Sequence, residues 1–386
     1  MIFFQRALQA RRLASWTFLL AIMFVTRPVG SAAEVKVIRT PNDGIQPQLV
    51  VEALGKKHLI YFKGGKQRGN VFYVTRESKG ASDVWSESKR VNSEPGSARR
   101  NGAISHARLA VDESGRAHVT WFTMRPPNYY YARMNDDGTG FEPQRSLVKR
   151  NIHGVEAGAA LVTTGSDKVS LIWHAGPFAQ VETRGIFMRQ STDGGRTFGV
   201  ERRIDSAKAG SCPCCGLSAF ADAGGRLLVS YRSAEEKIHR DMTLLNSTDG
   251  GQSFSNATLQ KWDIPRCPVA TTVFAPGPDG QVAVAWETKG QVYFASTKTP
   301  DKPVSPPVAG YGKVRRKNPA IAINGRGETL LAWGEGEGFR AGGKLHWMIF
   351  DSSGKPSGQK GQPGVVPESS MPAVATLLDG SFIVVY

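Results

Sequence analysis

Apolar and polar residues alternate along this chain in short runs, and seven of those runs end in the same way. A glycine is followed, six positions on, by a Tyr or Trp that closes an aliphatic or β-branched stretch. The pairs are Gly55 and Tyr61, Gly115 and Trp121, Gly225 and Tyr231, Gly280 and Trp286, Gly327 and Trp333, and Gly380 and Tyr386. Asp167 and Trp173 form a seventh copy in which Asp replaces Gly. The aromatic residues recur every 47 to 60 residues. A second apolar run precedes each turn, as at residues 48–51, 107–111 and 320–323. Two alternating runs around a glycine turn predict a β-hairpin. Further strand-like runs follow most copies, for example at 70–76 and 85–91. Four strands per repeat of this length predict the blade of a β-propeller. Seven copies predict an all-β, seven-bladed ring; a six-bladed ring would require one copy to be something else. The last copy stops at Tyr386 after its second strand, so the run at 34–38 is expected to add an outer strand there and close the ring.

A second repeat lies in phase with the first. Ser191-Thr192-Asp193-Gly194-Gly195-Arg196-Thr197-Phe198 recurs 56 residues later as Ser247-Thr248-Asp249-Gly250-Gly251-Gln252-Ser253-Phe254. Both fit S-x-D-x-G-x-[TS]-[FW], the Asp box. Its chemistry predicts a tight turn: Ser191, Asp193, Ser247 and Asp249 bond backbone N–H groups, Gly195 and Gly251 permit positive φ, and Phe198 and Phe254 pack inward. An acidic turn of this kind also resembles a calcium loop, but the turn itself needs those side chains. Together the Asp boxes and glycine-to-aromatic hairpins resemble the sialidase (BNR/Asp-box) superfamily over essentially the whole chain after the leader. The stretch holding Cys212-Pro213-Cys214-Cys215, Val229-Ser230-Tyr231-Arg232, Arg240-Asp241 and Arg266-Cys267-Pro268 is similar to a bacterial exported group often labelled exo-alpha-sialidase.

That resemblance implies glycan chemistry, with an arginine clamp on a sugar carboxylate, a Tyr–Glu nucleophile pair and an Asp acid. The chain departs from the pattern where the first clamp arginine belongs, since Gly44-Ile45-Gln46-Pro47 carries Ile45 there. No Asp stands in the following loop at 63–69. Leaving-group protonation therefore has no assigned residue, and no catalytic residue is named.

The N-terminus changes the picture of where the protein works. Arg6, Arg11 and Arg12 precede an apolar run at 13–25, and Ser31-Ala32-Ala33 stands before Glu34. This order predicts a signal peptide over residues 1–33, a single propeller domain over 34–386, and an exported, periplasmic or extracellular protein. The full chain carries a formal charge of +16, and the leader holds four Arg and no acid, which leaves +12 after cleavage. A basic exported chain favours anionic carbohydrate or another anionic envelope component. No nucleic-acid motif is present, and no later apolar run has transmembrane length. A monomer is expected.

Alternation of loops along an antiparallel blade places the Asp-box turns on one face and the loops entering each blade on the other. The second face is expected to gather Tyr130, His174, Arg232, Arg240, Asp241, Arg266 and Arg316, with His106, Glu287 and Arg315, into a basic, aromatic channel mouth. Arg232 and Arg266 are expected to form a bidentate anion clamp there. Cys212, Cys214, Cys215 and Cys267 fall in the loops entering the fourth and fifth copies. Two readings stay open for them. Either they form disulfides, as an oxidising compartment favours, or they hold a metal ion with His239 or His174 as additional ligands. No other cofactor is expected. The functional alternatives are a glycan-directed protein and a non-catalytic envelope platform or Cys-based metal or redox device.

Overall fold

The computed structural model describes residues 33–78, 84–100, 102–124, 127–150, 157–177, 179–206, 210–297, 314–336, 338 and 340–386. The signal peptide expected at 1–33 lies outside them, apart from Ala33. Seven sheets follow one another along the described chain, antiparallel throughout except for one parallel pair in the last. Blade 1 comprises Ile45–Val51, Lys57–Gly64, Gly69–Arg76 and Lys89–Arg90, and blade 2 Arg108–Val111, Ala117–Met124, Pro127–Arg133 and Arg145–Ser146. Blade 3 comprises Ala160–Thr164, Lys168–Ala175, Gly185–Ser191 and Arg202–Arg203; blade 4 comprises Ser218–Ala221, Leu227–Arg232, Met242–Ser247 and Ser255–Gln260. Three strands of blade 5 are described, Thr272–Pro276, Val282–Thr288 and Gln291–Ser296. Blade 6 has four, Arg316–Ile323, Thr329–Glu335, Gly343–Phe350 and Pro356–Val366.

Blade 7 closes the ring. Its inner strands Ala373–Thr376 and Phe382–Val385 form a hairpin, and Val35–Ile38 pairs in parallel with the second of them. The first segment of the fold is thus bonded to the last, and no blade edge is left between them.

The repeated aromatic residue has one job in every blade. Tyr61, Trp121, Trp173, Tyr231, Trp286, Trp333 and Tyr386 are all buried, and each packs against the blade before its own. Alternate positions on the same strand, such as Phe122, face the blade after. The period-2 pattern in the sequence thus supplies two apolar faces per sheet, and the core is a set of slabs between blades. In five copies the starting glycine ends a tight turn: Gly115 N–H donates to Asp112 O at 2.9 Å with φ at +80°, and Gly55, Gly225, Gly327 and Gly380 repeat this on Glu52, Asp222, Asn324 and Leu377.

Candidate functional site

The two Asp boxes join the third and fourth strands of blades 3 and 4, and their polar groups are engaged within the turn. Gly195 N–H donates to Ser191 Oγ at 2.9 Å, Ser191 Oγ–H to Asp193 Oδ1 at 2.7 Å, and Thr197 Oγ1–H to Asp193 Oδ2 at 2.6 Å. Gly251, Ser247, Asp249 and Ser253 repeat the same bonds. Phe198 packs edge-on against Tyr131 of the preceding blade, 5.2 Å between ring centres, and Phe254 joins the slab between blades 3 and 4. Loops joining second to third strands, and those entering each blade, emerge on the opposite face.

On the opposite face the inner strands of all seven blades surround a central cavity of about 210 Å³. Its polar lining includes Gln48, His106, Arg108, Ser218, Thr271 and Asn318. His106 is buried, its Nδ1 is held by Ala103 O, and burial with the nearby Arg108 keeps the ring neutral. Arg108 donates to Leu217 O at 2.7 Å; burial lowers its guanidinium to about 10, which leaves it charged at neutral pH. One cation therefore stands in the channel wall.

The arginines expected at the mouth divide sharply, and several need correcting. Arg232 is 2% exposed and donates to Arg240 O at 2.5 Å, Glu287 O at 2.6 Å and Thr288 Oγ1 at 3.0 Å. Its backbone carbonyl accepts Cys212 N–H, and its guanidinium lies 5.1 Å from the Trp262 ring centre. It is the internal tie of the loops, so it does not form an open clamp with Arg266. Arg316 is buried, bonded to Glu335 at 3.2 Å and stacked on Trp333. Asp241 accepts Trp262 N–H at 2.8 Å and shapes its loop. Tyr130 lies mid-strand opposite Trp121 and packs into the slab between blades 1 and 2, because the strand presents it sideways to a neighbouring blade. His174 is buried on Arg184 Nη2 at 3.1 Å, and burial, then Arg184, pushes it down to about 3. Arg240 is buried behind the cysteine loop, with its N–H donating to Trp262 O.

Arg266 is the exposed member of the set. With Trp262, Ile264, Cys267, Pro268, Val269, Lys289, Gly290, Arg315 and Gly338 it lines a groove of about 620 Å³, built wholly from loops of the face opposite the Asp boxes. Arg315 is paired at 3.1 Å with Glu287, a carboxyl buried beneath it. Among the described residues, neither Arg266 nor Lys289 has a hydrogen-bond or ion-pair partner. No Asp or Glu lines the described walls of either cavity. Lys289 and Trp262 escaped the sequence reading: neither sits in a motif, and only the neighbouring Lys289-Gly290 turn, with Lys289 at φ +52°, signals the tight bend that presents the lysine.

The four cysteines form one cluster beside this groove. Cys214 and Cys267 are disulfide-bonded, and Cys212 and Cys215 are buried thiols. Neither expected histidine joins them. His239 is bonded to Asp263 at 2.7 Å in an exposed loop, and His174 Nδ1 faces Arg184.

No protein-family model matches the chain, and no curated protein sequence matches it. Solved structures do match in shape. They include an alpha-L-arabinanase from Penicillium chrysogenum complexed with arabinobiose, with a TM-score of 0.52, 13% identity and coverage of 84% of this chain and 99% of that one. A polysaccharide lyase of the ulvan lyase type has a TM-score of 0.52 and 12% identity, covering 86% of this chain and 87% of its own. The six-bladed fucose-recognising lectin of Aleuria aurantia has a TM-score of 0.50 and 12% identity, covering 85% and 96%. At these identities the likeness establishes a propeller fold and nothing finer.

Proposed function

We propose that this chain is an exported propeller that recognises an anionic carbohydrate in the groove between Arg266, Lys289, Arg315 and Trp262, and does not cleave it. One observation carries the reading: an indole and two cations without a partner among the described residues line a groove of about 620 Å³ whose described walls hold no carboxylate. That volume falls in the range of pockets that take small ligands. An indole gives a sugar ring an apolar face, and the guanidinium supplies a planar fork for a carboxylate or sulfate. Arg232, stacked on Trp262 from within, stiffens the indole.

Hydrolysis between two carboxyl groups needs both acids beside the scissile bond. Glu287 is buried under Arg315, Glu335 is tied to Arg316 and His346, and Glu236 reaches His239, so none faces another across the groove. The Asp-box resemblance and the carbohydrate ligands or substrates named for the arabinanase, lyase and lectin support a glycan over other anions. The leader expected at 1–33 supports a location outside the cytoplasm, where such glycans lie. The test is a panel of uronate-bearing, sialylated, sulfated and neutral oligosaccharides, read by binding and by release of shorter products. Binding of acidic members, weakened by added salt and without product, is expected. Preference for neutral sugars, or product formation, contradicts the reading.

A further inference from the structure

The sulfur cluster beside the groove has a charge environment that its disulfide form does not explain. Cys212 Sγ lies 3.2 Å from Cys267 Sγ, and the sulfurs of Cys212, Cys214 and Cys267 all lie within 4.8 Å of one another. Two guanidinium groups, Arg240 and Arg232, stand close to Cys212. Arg240 is 5% exposed, and its Nε and Nη1 have no hydrogen-bond partner among the described residues. A disulfide with two neutral thiols carries no charge, so in that state a buried cation faces neutral sulfur, which is unfavourable.

We propose that, once the Cys214–Cys267 disulfide is reduced, Cys212, Cys214 and Cys267 bind a thiophilic metal cation, copper(I) in preference to zinc(II). Three thiolates around a monovalent ion carry a net charge of two negatives, which gives the buried Arg240 guanidinium a counter-charge that the disulfide form lacks. The ligand set is all sulfur, since the close group of ligand atoms contains no histidine nitrogen and His239 is bonded to Asp263. Sulfur selects soft ions, and structural zinc takes four ligands rather than three. Cys215 stays out of the set because its sulfur is not among those that all lie within 4.8 Å of one another. Cys267 lines the groove, which gives an ion its way in.

The chemistry balances with one co-reactant. A dithiol reductant delivers two electrons and two protons to the disulfide sulfurs and becomes a disulfide itself. Copper(I) then displaces three thiol protons to solvent as three copper–sulfur bonds form.

The experiment uses the full chain, reduced with a dithiol without oxygen, desalted, and offered copper(I) or zinc(II) separately. Elemental analysis after gel filtration should find one copper per chain, X-ray absorption should find sulfur ligands only, and zinc should wash out. Cys212→Ser, Cys214→Ser and Cys267→Ser should each retain less than a tenth of that copper, and Cys215→Ser should retain it. Should the serine variants fail to fold, the wild type decides alone: its melting midpoint should rise with copper(I) concentration and not with zinc(II). Retention of neither ion, retention of zinc alone, or recovery of a re-paired Cys212–Cys267 disulfide in place of bound copper overturns the proposal. Glycan binding is measured on the oxidised chain, so the two proposals fail separately.

Discussion

At Gly195 the backbone sits at φ +80°, and a Cβ would collide with the Tyr131 hydroxyl of the preceding blade. Gly250, in the other Asp box, also has positive φ, at +72°, but a Cβ there meets nothing within 4 Å. Gly195→Ala should therefore cost about 2–4 kcal/mol, combining left-handed strain with overpacking, and Gly250→Ala about 1 kcal/mol from strain alone. Denaturant midpoints of both variants check the order. The same Tyr131 hydroxyl donates to His118 Nδ1 at 2.7 Å, and His118 Nε2–H donates to Asp112 at 3.2 Å. Burial alone would raise the Asp112 carboxyl, but bonds from His118, Ser114 and Arg116 N–H hold it at about 2, against an ordinary 3.8. A depressed carboxyl contributes stability above its unfolded value, and that contribution is lost as pH falls through the folded one. The urea midpoint should thus drop between about pH 4 and pH 2, and Asp112→Asn should flatten that drop. Asp boxes were legible in the sequence because their bonds run between residues two to four apart. The linked chain of Asp112, His118, Tyr131 and Gly195 was not, because it crosses from one blade to the next.

Strand ends decide which arginines are available, and here sequence reading met its limit. Arg232 and Arg266 both look like mouth arginines, since Arg232 ends a strand on the correct face and Arg266 lies in the loop entering the next blade there. Their difference lies in contacts made 55 residues away in the chain: Glu287 O and Thr288 Oγ1 of blade 5 close over Arg232, while Arg266 projects into open groove. Arg232→Ala leaves several buried acceptors without a donor and should lower stability by about 1–3 kcal/mol for each one unsatisfied. Arg232→Lys should recover little, because an ammonium cannot reproduce the planar fork to two loops. Thermal midpoints distinguish this tie from a ligand contact, whose loss would leave them unmoved. Ring closure is the second test at this scale. Val35 and Val37 pack against the slab between blades 6 and 7, so replacing both with Ser should lower the unfolding midpoint and release the Ala373–Thr376 and Phe382–Val385 hairpin to faster amide exchange.

The whole molecule separates two tasks by face. One face holds the Asp-box turns, whose polar groups are consumed by the fold. The other carries the channel, the groove and the sulfur cluster, where Arg266 and Lys289 have no partner among the described residues. Seven slabs of apolar packing, each anchored by one aromatic residue per blade, make the ring rigid enough to hold loops from blades 4, 5 and 6 around a single groove. Its positive charge gives the account its central claim, and calorimetric titration tests it most directly. The ligand is the tightest-binding acidic oligosaccharide of the panel, titrated at two salt concentrations into wild type, Arg266→Ala and Lys289→Ala. Each lost charge-assisted contact should weaken binding by about ten- to a hundredfold, roughly 1.5–3 kcal/mol, with melting midpoints unchanged and a shallower dependence on salt than wild type. Equal dissociation constants for all three folded proteins would contradict the claim and place carbohydrate recognition elsewhere on the ring.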